Sequence, residues 1–174
     1  IALPCYSKIQ GYFNYPVIKE LTLTNPQNNI SIPFLVREAM LDGQIKVWLI
    51  YYAHYFYRNN LYAENNEAYP DNGERFAFFS RAALDAFSHL NYFPDVLHCN
   101  DWQTAPMPVF LDTFRNNPFY QGIKTVMTIH NLKFQGRWDF AKIKDAMGID
   151  DYYFTPDKLE FYDDANLLKG GMVY

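Results

Sequence analysis

The feature that most constrains this chain is a pair of short apolar runs that each end at ionisable residues. The first run, Asp95–His98, is followed closely by Asp101, and the second, Lys124–Ile129, directly by His130. A helix-length apolar pattern lies between them, so we predict two buried parallel strands joined by a crossover helix. Because ligands bind at the carboxyl ends of such strands, Asp101 and His130 are predicted to meet at the mouth of one crevice.

Length and composition predict one globular domain. The chain has 174 residues, of which 49% are hydrophobic and 20% are charged, so it can bury a full core. Its formal charge of −4 argues against a nucleic-acid groove, which would need clustered Lys and Arg. No run approaches the roughly 18 consecutive apolar residues of a membrane span. We therefore expect neither a nucleic-acid nor a membrane partner.

The two cysteines bear on the compartment. Cys5 and Cys99 are far apart in the sequence and follow the pattern of strand ends. We interpret them as reduced core thiols rather than as a disulfide, and a reducing compartment fits this best. The cytoplasm is therefore the expected location.

Aromatic residues make up 19% of the chain and have two interpretations. Aromatic faces stack on sugar rings, and they also fill protein cores. The helical spacing of Phe76, Phe79 and Phe87 predicts a buried helix face. A less periodic group of tyrosines is predicted to line a wet surface: Tyr51, Tyr52, Tyr55, Tyr57 and Tyr62.

Local signals outside the two runs predict the flanking elements. Residues 17–52 contain three segments with the β-branched content and turn residues of an antiparallel hairpin insertion. Asp71 and Glu74 are spaced as a capping box that opens a helix. Thr104 and Asp139 are predicted to cap two further helices. Residues Arg58 to Asn72 are polar and rich in Asn and predict an irregular loop.

Known catalytic motifs are mostly missing. His98, Asp101 and His130 do not form a convincing metal set, because no Cys or closely spaced second His completes a tetrahedron. There is no phosphate-binding loop, no dinucleotide-binding turn and no nucleophile elbow. Patterns alone therefore predict an α/β domain with a polar crevice that holds a carboxylate and an imidazole.

Two segments carry a family resemblance. His98–Trp102 resembles the His-Ala-His-Asp-Trp signature of bacterial glycogen synthases and plant starch synthases, and Thr128–Gly136 resembles their Thr-Ile-His-Asn-Leu-Ala-Tyr-Gln-Gly. Asp71–Phe76 and Leu168–Gly171 also look like landmarks of this family. The resemblance covers essentially the whole chain.

The resemblance implies half of a two-domain glycosyltransferase of the GT-B type. Residues 1–174 would be its N-terminal, Rossmann-like domain on the side of the glucan acceptor, and we expect that domain to extend beyond both ends of this chain. The implied reaction is retaining transfer of glucose from ADP-glucose or UDP-glucose to an α-1,4-glucan. The sugar nucleotide would be a substrate bound with a C-terminal domain, without a cofactor or metal. The location would be a plastid if the source is a plant.

The resemblance also implies roles for individual residues. Asp101 and His130 match the active-site Asp and His, so we expect Asp101 to orient sugar hydroxyls and His130 to hold the transferred glucose near its 6-hydroxyl. Asn100 replaces the second His of the family signature, and we expect its substitution to matter less. Four further residues are predicted to bind substrate: Tyr62, Trp102, Asn131 and Gln135.

Two alternatives to this function stay open, together with one question about the sheet. The chain could be a non-catalytic glucan-binding module or part of another GT-B sugar transferase. In a doubly wound sheet of order 3-2-1-4-5-6, a central strand would lie between the strand ending at Leu3 and the strand Asp95–His98. We expect this gap to be closed by rearrangement of the sheet or by pairing with a second copy of the chain.

Overall fold

The first part of the chain forms a four-stranded sheet of order β1-β4-β3-β2. The computed structural model describes all residues from 1 to 174. Strands β2 to β4 pair antiparallel in sequence order, which confirms the predicted hairpin insertion, and β1 pairs parallel to β4. The four strands are β1 (Ala2–Pro4), β2 (Val17–Thr24), β3 (Ser31–Leu41) and β4 (Ile45–Tyr51).

A long central helix follows after a short connection. The predicted irregular loop contains a small hairpin, and the predicted helix is present. These elements are α1 (Ala53–Phe56), β5 (Ala63–Glu64), β6 (Glu67–Ala68) and α2 (Asn72–His89). The capping box is wrong, because the Asp71 side chain caps nothing. Its carboxylate instead accepts two hydrogen bonds from Arg58, at 2.8 and 2.5 Å, and such a bidentate pair with a guanidinium is stronger than one hydrogen bond to a backbone N–H.

The second part of the chain contains the other parallel pair. Strand β7 pairs with β8 from Val96 opposite Lys124 to Asn100 opposite Thr128, which confirms the two predicted parallel strands. Strands β9, β10 and β11 form a small antiparallel sheet. The elements are β7 (Val96–Asn100), α3 (Asp101–Thr104), α4 (Pro106–Thr113), β8 (Lys124–Thr128), β9 (Arg137–Asp139), α5 (Phe140–Met147), β10 (Glu160–Phe161), β11 (Asp164–Asn166) and α6 (Leu167–Val173).

The two other predicted caps have different outcomes. Asp139 caps α5 as predicted, because its Oδ1 accepts from the Lys142 amide at 3.0 Å. Thr104 does not begin a helix, since α3 already starts at Asp101. Its hydroxyl instead lies 2.8 Å from the Asn100 carbonyl oxygen, to which it donates, and it holds the turn from β7 into α3.

Helix α2 lies at the centre of the core. Phe76, Phe79 and Phe87 are buried, as their helical spacing predicts. Of the tyrosines predicted to line a wet surface, Tyr57 and Tyr62 are 63% and 42% exposed, whereas the other three are only partly exposed. The aromatic surplus therefore serves mainly the core.

The α/β fold with parallel strands is confirmed, but its parallel strands belong to separate sheets. Strands β1 and β7 do not pair, and the gap that we expected between them is not closed by rearrangement. A groove of about 930 Å³ lies there, and we call it the open groove. Apolar side chains such as Leu3, Trp48, Phe87 and Leu97 line its walls, and Asp101 lies on its border.

The cysteines are two free, buried thiols, as predicted. Burial raises the pKa of Cys99 to about 12, against a smaller lowering effect of its hydrogen bond with Thr104. Burial also raises the pKa of Cys5 to about 11. Both side chains are therefore uncharged at neutral pH. None of the helices has the length and apolar character that a membrane span requires.

Candidate active site

The carboxyl ends of β7 and β8 bring Asp101 and His130 together, as predicted. Asp101 is the first residue after β7, and its Oδ1 accepts a hydrogen bond from the backbone N–H of His130 at 2.7 Å. The Asn131 N–H lies 3.3 Å from the same oxygen. The Asp101 carboxylate thus joins the loop after β7 to the loop after β8.

The backbone of Asp101 is in the left-handed region, with φ +56°. This conformation is uncommon for a residue with a side chain, although Asp tolerates it better than most. It turns the chain sharply from β7 into α3 and points the carboxylate at the β8 loop. The second oxygen, Oδ2, has no hydrogen-bond partner in the protein. Strained backbone of this kind gathers at functional sites, and the free oxygen offers an acceptor to a ligand.

The imidazole of His130 is exposed and has one protein partner. Its Nε2 lies 3.0 Å from Oδ1 of Asn100, and its Nδ1 has no hydrogen-bond partner in the protein. His98 is engaged elsewhere, since its Nε2 lies 2.8 Å from the hydroxyl of Thr128. No three His, Cys, Asp or Glu side chains converge in a way that could hold a metal ion. The cluster is therefore a carboxylate and an imidazole, each with a free acceptor or donor atom.

Trp102 does not face the crevice. Its side chain is buried, with its ring 5.1 Å from that of Phe76 and 4.9 Å from that of Trp138. Gly136, with φ +66°, covers it so closely that an added Cβ would lie 2.8 Å from the indole ring. Substrate binding by Trp102 stays a prediction, and this buried position does not support it. The indole instead supports both motif loops from below.

The amide of Gln135 is also used within the protein. Its Oε1 accepts from Nδ2 of Asn166 at 2.8 Å, and its backbone carbonyl accepts from the N–H of Leu168 at 3.0 Å. Gln135 therefore connects the β8 loop to the start of α6, and because the residue is partly exposed its contact with substrate stays a prediction. Asn131 is exposed, and its Oδ1 accepts from the Lys133 N–H at 3.0 Å in a local turn. Its Nδ2 remains free to reach a ligand.

Tyr62 borders the open groove together with Asp101. Its ring lies 5.8 Å from that of Phe76, and 42% of the residue is exposed. Asp101 thus connects the groove, which it borders with Tyr62, to His130 and Asn131, whose backbone N–H groups contact its carboxylate.

Asn72 and Arg75, which we call the clamp, hold the segment that carries Tyr62, and the sequence analysis did not predict them. Asn72 donates from Nδ2 to the Tyr62 carbonyl at 2.8 Å. Arg75 is fully buried and donates to the carbonyls of Tyr55 at 2.8 Å and Leu61 at 3.1 Å. Burial lowers the pKa of Arg75 from its usual range. A signal was present, since Asn72 and Arg75 are three apart and share one face of α2.

The site can bind polyhydroxylated ligands. Oδ2 of Asp101 and the imidazole of His130 offer hydrogen-bond partners to hydroxyl groups, and the tyrosine ring offers an apolar face. No Ser, Cys or Lys lies beside a general base in this cluster. The arrangement therefore fits recognition of a sugar and stabilisation of charge better than attack by a protein nucleophile.

Fold and site thus define an α/β domain with a polar, sugar-compatible crevice at the ends of parallel strands. The family described as starch synthase catalytic domain matches residues 1–174. Glycogen synthase from Clostridium novyi is 47% identical over 178 residues, which cover 100% of this chain and 36% of that protein. Glycogen synthase from Lachnospira eligens is 57% identical over 124 residues, which cover 69% of this chain and 26% of that protein.

A solved structure is also similar. The catalytic domain of starch synthase IV from Arabidopsis thaliana, bound to ADP and acarbose, has a TM-score of 0.80 and 26% identity. The match covers 99% of this chain and 35% of that one. The chain belongs to the starch synthase catalytic domain family, and it spans about a third of the length of the curated relatives that it matches in full.

Proposed function

We propose that this chain forms the glucan-acceptor side of a retaining glycosyltransferase that moves glucose from ADP-glucose to the non-reducing end of an α-1,4-glucan. The observation that carries the proposal is the meeting of Asp101 and His130 at the strand ends of a starch synthase catalytic domain. The ADP in the starch synthase IV structure supports an adenine nucleotide as the donor. Glycogen or starch synthesis is the process that such a transfer serves.

The proposed chemistry places these residues beside developing positive charge on the transferred sugar. A fixed carboxylate and fixed backbone dipoles stabilise such charge more in the transition state than in the ground state. Asp101 is held by the two backbone N–H groups that its Oδ1 accepts, so its Oδ2 can orient a sugar hydroxyl without reorganisation. His130 and Asn131 would hold the transferred glucose, and Tyr62 the acceptor.

The remaining parts of the proposal concern the whole protein. Residues 1–174 would act with a second domain that binds the nucleotide, and the sugar nucleotide would be a substrate rather than a cofactor. We also propose a cytoplasmic location. When the 174 residues are produced alone, the open groove is proposed to pair with a second copy.

The test is glucan elongation by the intact protein with radiolabelled ADP-glucose and glycogen. We expect label in α-1,4-linked chains, less transfer from UDP-glucose, and no loss of activity on addition of a chelator. Absence of transfer from both nucleotides by folded protein would contradict the proposal.

A glucan-binding module is the second candidate, favoured by the exposed Tyr57 and Tyr62. The 174-residue chain alone separates the two functions. A catalytic half-site should not elongate glycogen and should bind maltooligosaccharides only feebly, because the groups that position the donor lie on another domain. Tight binding of maltooligosaccharides by the chain alone, without transfer by the intact protein, would favour the module.

A further inference from the structure

Asn100 contacts one of the two ring nitrogens of His130 and leaves the other free. Oδ1 of Asn100 lies 3.0 Å from Nε2 of His130. The amide is placed with its oxygen towards the ring, and because an amide oxygen accepts but does not donate, this placement corresponds to a proton on Nε2. In the neutral imidazole the other nitrogen, Nδ1, is then an acceptor, and no protein group donates to it.

The backbone of Asn100 is held in place at the end of β7. Asn100 is the last residue of β7 and lies opposite Thr128 in the parallel register, so its side chain emerges where β8 also ends. Its backbone is fixed on both sides by the hydroxyl of Thr104, 2.5 Å from its N–H and 2.8 Å from its carbonyl oxygen. The amide therefore approaches His130 from a rigid strand end.

Two consecutive residues, Asn100 and Asp101, thus contact both the ring and the backbone of His130. Asp101 accepts from its backbone N–H at 2.7 Å, while Asn100 accepts from its ring at 3.0 Å. Both contacts join the turn at the end of β7 to the loop after β8, so the same turn holds the main chain of His130 and orients its ring. Such double support is what keeps a reacting group in one geometry.

We propose that Asn100 is a positioning residue that holds His130 as the Nε2–H tautomer and presents Nδ1 to the crevice as a hydrogen-bond acceptor. The ligand class that this favours is a hydroxyl donor, and naming it a sugar hydroxyl rests on the proposed function. The His that the family signature carries at this place could donate or accept, whereas the Asn100 oxygen can only accept. Because of this contact, we expect substitution of Asn100 to affect His130 more than the departure from the family signature suggested.

The tautomer can be measured without substrate. In the intact protein labelled with ¹⁵N-histidine, NMR correlations between ring nitrogens and carbon-bound protons distinguish protonated from bare nitrogen. We expect a protonated Nε2 and a bare Nδ1 for His130 at a pH where the ring is neutral. Asn100→Ala should give a mixture of both tautomers, and Asn100→Asp, which keeps the acceptor oxygen, should retain Nε2–H.

His98 supplies a control within the same spectrum, because its Nε2 contacts Thr128 and not Asn100. Its signals should be unchanged in both Asn100 variants, which also shows that the strand ends remain folded. Thr128→Val is the matched variant, and it should change the signals of His98 while His130 keeps its tautomer. A bare Nε2 in the unsubstituted protein, or an unchanged tautomer in Asn100→Ala, would overturn the proposal.

Kinetics give a second readout. Asn100→Ala should lower kcat for glucan elongation ~3- to 10-fold with little change in the KM for glycogen, which is the effect of one lost neutral hydrogen bond. Asn100→Asp should recover most of that loss at a pH where the ring of His130 is neutral in that variant. The tautomer is measured without turnover, so a failure of this proposal can be told from a failure of the proposed function. The Nε2–H tautomer in an intact protein that transfers no glucose would contradict the proposed reaction. Normal glucose transfer by Asn100→Ala with a mixture of tautomers would contradict the role of Asn100.

Discussion

The three antiparallel strands β2 to β4, here called the hairpin sheet, and the β7–β8 pair depend on different sequence signals. In the hairpin sheet, β2, β3 and β4 pair with their sequence neighbours, so turn residues and β-branched runs define it locally. The β7–β8 pair joins strands more than twenty residues apart, and it is bordered by the open groove instead of by β1. The locally defined sheet carries none of the site, whereas the pair with distant partners carries the chemistry.

The open groove between β1 and β7 also affects the stability of the protein. The edges of β1 and β7 that face the groove present backbone groups without a strand partner, and each such group costs about 1–3 kcal/mol when it is buried. The contacts among β2, β3 and β4 leave no such gap between strands. The part of the molecule that holds the site should therefore depend more on clamps, close helix packing and association than the hairpin sheet does.

The largest expected effect on stability is at Arg75, which clamps the segment before the site to α2. Arg75→Ala removes hydrogen bonds to the carbonyls of Tyr55 and Leu61 and to the Asn72 side chain, and it leaves those acceptors without a donor. We expect a loss of at least about 3 kcal/mol in the free energy of unfolding, measured by urea titration.

Arg115 supplies the matched control, because its side chain is 69% exposed and forms an ion pair with Asp112. Arg115→Ala should cost less than about 0.5 kcal/mol. Equal losses for the two variants would show that the buried clamp contributes nothing beyond a surface ion pair.

Close packing of α6 against the start of α4 is the next contact to test. A Cβ on Gly171 would lie 2.7 Å from the Ala105 Cβ and 2.9 Å from its backbone oxygen. Gly171→Ala should therefore destabilise the protein by about 2 kcal/mol, since backbone atoms cannot give way as a flexible side chain can. Gly122→Ala, with nothing within 4 Å, should change stability by less than about 0.5 kcal/mol in the same thermal melt. A tolerated Gly171→Ala would mean that the two helices separate easily.

Association through the open groove is expected to have a smaller effect. The 174-residue chain alone should form a concentration-dependent dimer in light scattering, because unpaired strand edges are templates for pairing. Val96 lies on the groove and is 53% exposed, so Val96→Lys should weaken the dimer about tenfold. Val126, which is 48% exposed and lies outside the groove, is the matched position, and Val126→Lys should leave the dimer unchanged. A cooperative monomer at all concentrations contradicts the association.

Sequence reasoning located the site but not the use of each atom. The meeting of Asp101 and His130 was predictable, because parallel strands end at a common edge and ionisable residues follow both apolar runs. That the Asp101 carboxylate would accept from the backbone of His130 was not, since this depends on a left-handed φ at Asp101. The resemblance named the residues, and only the structure shows that Trp102 is buried and that the Gln135 amide accepts from Asn166.

The errors in local prediction have a common cause. The capping box failed because Asp71 pairs with Arg58, thirteen residues away, and a local pattern cannot indicate a partner at that distance. Thr104 failed in the same way, because its hydroxyl is taken by the backbone of Asn100. Asp139 succeeded because no competing charged partner takes its carboxylate. Polar side chains choose among partners in space, which propensity does not encode.

The most direct measurement is kcat for glucan elongation by the intact protein with substitutions at the strand ends. Asp101→Ala and His130→Ala should each lower kcat at least ~10²-fold, the size typical of losing one preorganised polar group at a developing charge. Asp101→Asn keeps an acceptor for the backbone and tolerates the left-handed φ, so it should lose activity while it retains stability. His89→Ala, at the exposed end of α2, should leave kcat unchanged. Near-normal kcat in the Asp101 and His130 variants would contradict an active site at the ends of β7 and β8.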